Sequence, residues 1–186
     1  MPQRGDALLL VDVQNDFLPG GALGVPEGDA VIAPLNECAA RFAQLGLPVV
    51  ASRDWHPPDH CSFRPQGGPW PPHCVAGTPG AAFAATLRLP PATIVVSKAT
   101  DPAVDAYSAF QGTGLAESLA ALGCRRTWIG GLATDYCVRA TALDAMAAGL
   151  QVLVLATAVR AVDVRPGDGA RALEELRDRG ATIVAP

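Results

Sequence analysis

The sequence has 186 residues, of which 49% are hydrophobic and 17% are charged, and its formal net charge is −4. This length and composition exclude pervasive disorder and favour a single domain over residues 1–186. The acidic balance leaves no basic face for phosphates, so neither nucleic acid nor a membrane surface is an expected partner. No apolar run approaches the roughly 20 residues of a membrane span, and the start lacks a signal-peptide pattern, so a cytoplasmic location is expected.

Apolar, β-rich segments alternate with helical patterns along the chain. Six strands are predicted, at residues 7–13, 47–53, 93–98, 126–131, 150–156 and 181–185. Four amphipathic helices are predicted, between residues 31 and 45 and at 113–122, 135–148 and 167–179, each followed by a glycine. Because the strands are continuously apolar, they are expected to be buried on both faces. This predicts an α/β fold with three layers, α/β/α, around a six-stranded, mainly parallel sheet.

The long Pro- and Gly-rich stretch between residues 54 and 92 interrupts this alternation and holds all three histidines. An irregular stretch of this length is uncommon unless it is functional. We therefore expect a metal-binding loop region at about 54–92 within the single domain. The five cysteines are irregularly spaced in a chain large enough to fold without cross-links, which argues against a disulfide framework and favours thiol or metal chemistry.

Four reactive side chains are predicted at the ends of strands. Asp12 closes the first strand, Asp54 follows the second, Lys98 follows the third, and Cys137 lies just after the fourth. Since ligands of open parallel sheets bind at the carboxyl ends of the strands, these residues are expected to share one edge. Each residue alone is compatible with a cap, a solvated side chain or core packing, but their coincidence favours a functional site.

Cys137 is predicted near a helix N-terminus, behind a Gly-Gly pair. Unpaired N–H groups and the helix dipole favour a thiolate there, and the same N–H groups can hold the oxyanion of an acyl-transfer intermediate. If the histidines are committed elsewhere, the nearest candidate base is Asp12, with Lys98 beside it to hold its charge. The pattern predicts a Cys, Asp, Lys triad, and a Cys-His hydrolase stays open as an alternative.

The long loop carries a D-x-H-x₃-H pattern followed by a further histidine. Its potential metal ligands are Asp54, His56, His60 and His73. Nitrogen and oxygen donors suit zinc, iron or manganese, and an incomplete set of protein ligands leaves positions for substrate. The alternatives are a closed structural zinc site that recruits Cys61 or Cys74, and a purely solvated loop.

Five sequence motifs resemble those of the nicotinamidases in the isochorismatase-like cysteine hydrolase superfamily. They are DVQNDF at 12–17, RDWHPPDHCSF at 53–63, WPPHCV at 70–75, VVSKAT with DAYSAF at 95–110, and GLATDYCV at 131–138. The motifs occur in the same order over nearly the whole chain. Their combination makes the resemblance specific.

The resemblance implies a catalytic triad of Asp12, Lys98 and Cys137 that hydrolyses nicotinamide to nicotinate and ammonia through a Cys thioester. Pyrazinamide is implied as a second substrate, and the activity implies a place in NAD salvage. The oxyanion hole would be formed by the backbone N–H groups of Ala133 and Cys137, with a cis peptide between Ala133 and Thr134.

The resemblance also implies one divalent metal ion, with zinc ahead of iron or manganese, bound by Asp54, His56 and His73. His60 matches a position that is a ligand in only some members. Phe17 and Trp70 match the aromatic walls of the family's substrate slot, and Tyr107 is a further expected substrate-binding residue, packed under the site. Homo-oligomers are common in the superfamily, so self-association stays open.

Two other interpretations remain. Another member of the superfamily would act on a carbamoyl amide or on isochorismate, without need of a metal that binds a pyridine nitrogen. A non-enzymatic binding module with a structural zinc would unfold when the metal is removed.

Overall fold

The computed structural model describes residues 1–184 and contains one six-stranded sheet with the strand order β3-β2-β1-β4-β5-β6. The strands are β1 (Asp6–Val11), β2 (Val49–Asp54), β3 (Ile94–Lys98), β4 (Arg126–Leu132), β5 (Gln151–Arg160) and β6 (Thr182–Val184). All neighbouring strands are parallel, which confirms the predicted sheet. Residue 185, the last of the sixth predicted strand, lies outside the described residues.

Four helices cover the two faces of the sheet. They are α1 (Ile32–Gln44), α2 (Leu115–Ala121), α3 (Arg139–Ala147) and α4 (Asp168–Asp178). Strand β1 shows why both faces need cover, because Leu8 and Leu10 pack in the core under α1 while Leu9 and Val11 pack in the core under α2, α3 and α4. The predicted three-layer α/β/α fold is confirmed. None of the helices among residues 1–184 combines the length and apolarity that crossing a membrane requires.

Most predicted boundaries lie within two residues of the observed ones, and β1 ends at Val11, two residues before its predicted end at residue 13. Two boundaries differ by four residues. The fifth strand continues to Arg160 because its register with β4 shifts, so that Ile129 pairs with Val154 but Gly131 pairs with Val159. The third helix is preceded by one π-helical turn at Thr134–Val138, which leads directly from β4 into α3. That turn carries Cys137.

The stretch between β2 and β3 is irregular but is held by backbone hydrogen bonds. His56 and Val75 form an isolated parallel bridge. In this bridge the His56 N–H donates to the Cys74 carbonyl at 3.0 Å, and the Ala76 N–H donates to the His56 carbonyl at 2.8 Å. The bridge brings His73 alongside His56 at the carboxyl edge of the sheet.

Gly131 lets β4 approach β1 closely where both strands end. It pairs with Val11, its φ of 128° lies in a region that favours glycine, and a Cβ atom there would lie 2.0 Å from the Val11 carbonyl oxygen. The close approach places the turn after β4, with Cys137, beside the residue that follows β1. In the order 3-2-1-4-5-6 this is where the order of the strands reverses, the usual place for a ligand.

Candidate active site

Three buried side chains from distant parts of the chain meet at the carboxyl edge of the sheet. The Lys98 ammonium lies 2.9 Å from Asp12 Oδ2 and donates to Cys137 Sγ at 3.5 Å. Ligand atoms of Asp12, Asp54 and Cys137 all lie within 4.8 Å of one another. The structure thus brings together all four residues that sequence analysis placed at this edge.

The backbone around Asp12 explains how its carboxyl group reaches Lys98. Asp12 directly follows β1 and has a φ of 50°, a left-handed conformation that is strained for a residue with a Cβ atom. Ser52, on the neighbouring strand, donates its hydroxyl hydrogen to Asp12 Oδ1 at 2.6 Å. Ala99, next to Lys98, has a similar φ of 51°. Such strain is typical of functional sites.

Burial dominates the protonation of the triad. It raises the pKa of Asp12, although the Lys98 ammonium opposes the shift. Burial also raises the pKa of the Cys137 thiol well above its usual value, with Lys98 again opposing. The expectation of a helix-stabilised thiolate at Cys137 is therefore wrong for the resting site. For Lys98 burial would lower the pKa, but the carboxylates of Asp12 and Asp54 outweigh it and raise the pKa.

A second group of buried side chains, Asp54, His56 and His73, has the composition of a metal site. Asp54 Oδ2 lies 3.5 Å from His56 Nε2 and 4.0 Å from His73 Nε2. Each histidine can donate its Nδ1–H to a backbone carbonyl, His56 to Ala99 at 3.2 Å and His73 to Pro71 at 2.8 Å. In that tautomer both Nε2 lone pairs face the Asp54 carboxylate, which is the arrangement that metal-binding histidines adopt.

Two further observations fit a cation at this group. His56 Nε2 is buried and has no hydrogen-bond partner among residues 1–184, a costly state that a metal ion would relieve. Burial lowers the pKa of His73, which keeps its imidazole neutral and able to act as a ligand. The described donors therefore suit a divalent cation with two nitrogen ligands and one oxygen ligand.

His60 lies next to this group but is engaged elsewhere. Its Nε2 donates to the Val104 carbonyl at 3.2 Å, and its Nδ1 accepts from the Ser62 hydroxyl at 2.7 Å. Neither ring nitrogen is then free for a metal ion. The groups of potential ligands found among the described residues also leave out Cys61 and Cys74, the thiols that a closed zinc site would recruit.

Asp54, a member of the group with His56 and His73, also contacts the triad. Its Oδ1 accepts a hydrogen bond from Lys98, while its Oδ2 faces the histidines. Burial alone would raise the pKa of Asp54, but the Lys98 ammonium and His56 together outweigh burial and lower it. Asp54 is therefore held as an anion at the junction of the two groups.

A cavity lined by residues of both groups opens at this edge of the sheet. Phe17, Trp70 and Tyr107 line it, and the Trp70 indole N–H donates to the Tyr107 hydroxyl at 2.9 Å. Tyr107 thus lies in the wall of the cavity rather than under the site. Sequence analysis missed four further apolar or aromatic lining residues, which are Leu23, Ala106, Tyr136 and Val162. The walls suit a flat aromatic ligand.

Ala133 and Cys137, the predicted oxyanion-hole residues, line the same cavity. The carbonyl of Ala133 accepts from the backbone N–H groups of Tyr136 and Val138, both at 3.1 Å, which closes the turn around Cys137. The structure contains a cis peptide between Leu132 and Ala133, one bond earlier than predicted.

Two polar residues of the DVQNDF motif that sequence analysis did not single out hold the loop in place. The Asp16 carboxylate accepts from the backbone N–H of Cys74 at 2.7 Å, directly after His73. The buried Gln14 side chain bonds to the main chain of Asp54. The available signal was that Asp12, Gln14 and Asp16 are polar residues at every second position of the motif.

Comparison with known proteins agrees with this geometry. The model of the isochorismatase domain matches residues 6–185. A nicotinamidase of Escherichia coli is 40% identical over 204 residues, covering 98% of this chain and 95% of that protein. A pyrazinamidase of Pyrococcus horikoshii in complex with zinc has a TM-score of 0.94 and 52% identity, covering 98% of this chain and 99% of that one.

A third similarity concerns a structure with a small molecule bound. PnC1 from L. infantum in complex with nicotinate has a TM-score of 0.88 and 38% identity, and the match covers 98% of this chain and 96% of that one. The likeness therefore extends over the strands, the long loop and the turn with Cys137. With the domain match spanning the whole sheet, the chain belongs to the isochorismatase family.

Proposed function

We propose that this chain is a metal-dependent amidase that hydrolyses nicotinamide to nicotinate and ammonia, with pyrazinamide as a second substrate. The observation that carries the proposal is the contact between the Asp12–Lys98–Cys137 group and the Asp54–His56–His73 group at one apolar cavity. The names of the E. coli and P. horikoshii relatives support the same substrate class.

In the proposed mechanism Asp12 accepts the Cys137 thiol proton while sulfur attacks the carboxamide carbon. The raised pKa of Asp12 suits this role, because the carboxylate then competes for the proton better than an exposed one. Asp12 next gives the proton to the departing nitrogen, which leaves as ammonia. A water molecule, deprotonated with help from Asp12, hydrolyses the thioester to the carboxylic acid and regenerates the thiol.

Charge that develops during these steps has two proposed stabilisers. The Lys98 ammonium, 3.5 Å from Cys137 Sγ, offsets the negative charge on sulfur as the proton leaves. The backbone N–H groups of Ala133 and Cys137 form the oxyanion hole for the tetrahedral intermediate. Because burial raises the pKa of the Cys137 thiol, proton transfer to Asp12 is coupled to the attack of sulfur.

The metal ion proposed for the second group is zinc, held by Asp54 Oδ2 and by the Nε2 atoms of His56 and His73. The zinc complex of the P. horikoshii relative supports the choice of metal. When bound, a divalent cation supplies a Lewis-acid position for the ring nitrogen of the substrate. The walls from Phe17 and Trp70 then hold the ring, so that the carbonyl group faces Cys137.

Ammonia release from nicotinamide, measured together with the metal content of the same protein sample, tests the proposal. We expect steady turnover and about one zinc per chain. Turnover in a protein without stoichiometric metal would refute the metal dependence, whereas the absence of both turnover and metal would favour a relative that acts on another amide. Stoichiometric zinc without turnover on nicotinamide or pyrazinamide would refute the substrate assignment.

A further inference from the structure

Strand β1 ends before its neighbour β2 does, so the backbone N–H and C=O of Asp54 have no partner on β1. The pairing of β1 with β2 runs to Val11 and Ser52, and the Asp12 N–H still donates to the Ser52 carbonyl at 3.2 Å. Asp12 then turns out of the sheet with a φ of 50°. Strand β2 continues to Asp54, two residues beyond Ser52. Because backbone groups two residues apart in a strand point to the same side, the N–H and C=O of Asp54 also point to the β1 side, where β1 has already ended.

The side-chain carboxamide of Gln14 takes the place of the missing strand. Its Oε1 accepts from the Asp54 N–H at 2.8 Å, and its Nε2 donates to the Asp54 carbonyl at 2.8 Å. The second Nε2 hydrogen goes to the Ala81 carbonyl at 2.9 Å, on the long loop. The side chain is fully buried, so both donors and one acceptor site are used inside the protein.

The main chain of Asp54 needs this support because its carboxylate serves both functional groups. Oδ1 bonds to Lys98 and Oδ2 faces His56 and His73. On its other side Asp54 is aligned by β3, where it pairs with Lys98. Without Gln14 the residue would be held from one side only, and two buried backbone groups would lose their partners.

We propose that Gln14 is a positioning residue that fixes Asp54 for zinc binding and for its contact with Lys98. The inference rests on the proposed function only for its effect on turnover. Its effect on the metal site follows from hydrogen bonds among this chain's own residues. Outer hydrogen-bond partners of metal ligands typically change metal affinity or activity by about 10- to 100-fold.

The test compares Gln14→Met with Asn36→Leu. Each variant replaces a buried carboxamide by an apolar side chain of similar size. Asn36, on α1, makes a comparable clamp away from the cavity, because it donates to the Thr86 carbonyl at 2.9 Å and accepts from the Arg88 N–H at 2.7 Å. Both variants are expected to lower the thermal midpoint of unfolding, so stability alone does not separate them.

Zinc affinity, measured by competition with a chelating dye, separates them. We expect Gln14→Met to bind zinc about 10- to 100-fold more weakly than wild type and to lose turnover that added zinc partly restores. Asn36→Leu should bind zinc within about twofold of wild type. Wild-type zinc affinity in Gln14→Met, or an equal loss in Asn36→Leu, would overturn the assignment.

A second variant covers the case in which Gln14→Met fails to fold. Gln14→Glu keeps an acceptor for the Asp54 N–H and changes the volume least, but as a carboxylate it cannot donate to the Asp54 and Ala81 carbonyls. It should also bind zinc at least tenfold more weakly, and unchanged affinity would overturn the proposal. The dye assay needs no substrate, so a wild-type protein inactive on nicotinamide would refute the proposed function while the role of Gln14 was still decided.

Discussion

Strand β1 has a buried aspartate at each end, and the surroundings of the two carboxyl groups differ. Asp6 begins the strand and accepts from Arg126 Nε at 2.8 Å, from Arg126 Nη2 at 2.6 Å and from Trp128 Nε1 at 2.9 Å. A further bond comes from the Gln3 N–H at 3.0 Å. Burial would raise the pKa of Asp6, but these donors, led by Arg126, outweigh it and lower the pKa.

Asp12, just past the other end, has fewer donors. Ser52 bonds to Oδ1, whereas Oδ2 has an ion pair with Lys98 but no well-aligned hydrogen-bond donor among the described residues. Both aspartates are almost inaccessible to solvent, at 1% and 0% exposed, but protein encloses the Asp12 carboxyl group more deeply than that of Asp6. Deeper burial, the nearby Asp54 carboxylate and fewer aligned donors raise the pKa of Asp12 and suit it to accept a proton, whereas the donors around Asp6 favour its anion.

The strongest test of this difference uses one buried thiol from each end of the strands, Cys137 at the carboxyl end and Cys124 at the amino end. Cys137→Ala should lower turnover of nicotinamide by at least about 10⁴-fold, because the nucleophile is lost. Cys124→Ala, near Asp6, should keep turnover within about twofold. Thermal unfolding of both variants shows that they fold. Substantial turnover in Cys137→Ala would refute the nucleophile assignment.

The aspartates themselves give the next largest effect. Asp12→Asn should lower kcat by about 10²- to 10⁴-fold, because the proton acceptor is lost. Asp6→Asn should keep kcat but lower the free energy of unfolding by about 3 kcal/mol, since Arg126 loses its buried anion. Steady-state kinetics and urea unfolding on both variants check this pair. The comparison fails if Asp6→Asn is the variant that loses turnover.

Metal removal should lower turnover at the carboxyl end of the strands and leave the stabilising contribution of Asp6, at the amino end, unchanged. A chelator is expected to lower turnover by about 10²-fold, because the substrate ring loses its positioning, and zinc should restore it. Cooperative unfolding should persist in the chelator, with a thermal midpoint roughly 5–10 °C lower. This is the shift expected when a ligand that was present at about 100 times its Kd is removed. The Asp6→Asn destabilisation should be the same with and without metal. Global unfolding in chelator would instead indicate a structural zinc site.

The smallest effect concerns pH. Folding lowers the pKa of Asp6. The ionised carboxylate therefore stabilises the folded protein fully at pH values above the pKa of Asp6 in the unfolded chain, about 3.9, and this contribution is lost as the pH falls through the lower pKa of the folded state. The difference in unfolding free energy between wild type and Asp6→Asn should be constant above about pH 5 and shrink below about pH 4. Urea unfolding at pH 3, 4 and 6 measures it. A difference that grows toward pH 3 would contradict the ion-pair account.

The sequence predicted the strands well because each is a short apolar run bounded by turns, and it predicted the shared edge because parallel strands end on one side. The end of β5 was missed, since a register shift arises from pairing with β4 and leaves no local pattern. The turn at Thr134–Val138 was predicted as ordinary helix, because π-helical turns have no separate apolar period.

The chemistry was harder to predict where burial decides it. A position near a helix N-terminus suggested a thiolate at Cys137, but burial of the side chain raises the pKa of the thiol, and burial cannot be read from spacing. His60 has the same spacing signal as its neighbours, yet Ser62 and Val104 engage both its nitrogens. Val162 lines the cavity from a segment that carries no motif, whereas Tyr136 lies in the GLATDYCV motif but has no reactive group that singles it out.

Lys98 is the one lysine in the 186 residues, and its side chain is fully enclosed between the two carboxylates. Reagents that acylate primary amines should therefore reach an ε-amine in this protein only when the carboxyl edge of the sheet opens. The time course of acylation at Lys98, followed by mass spectrometry, would report the opening rate of the site with no engineered label.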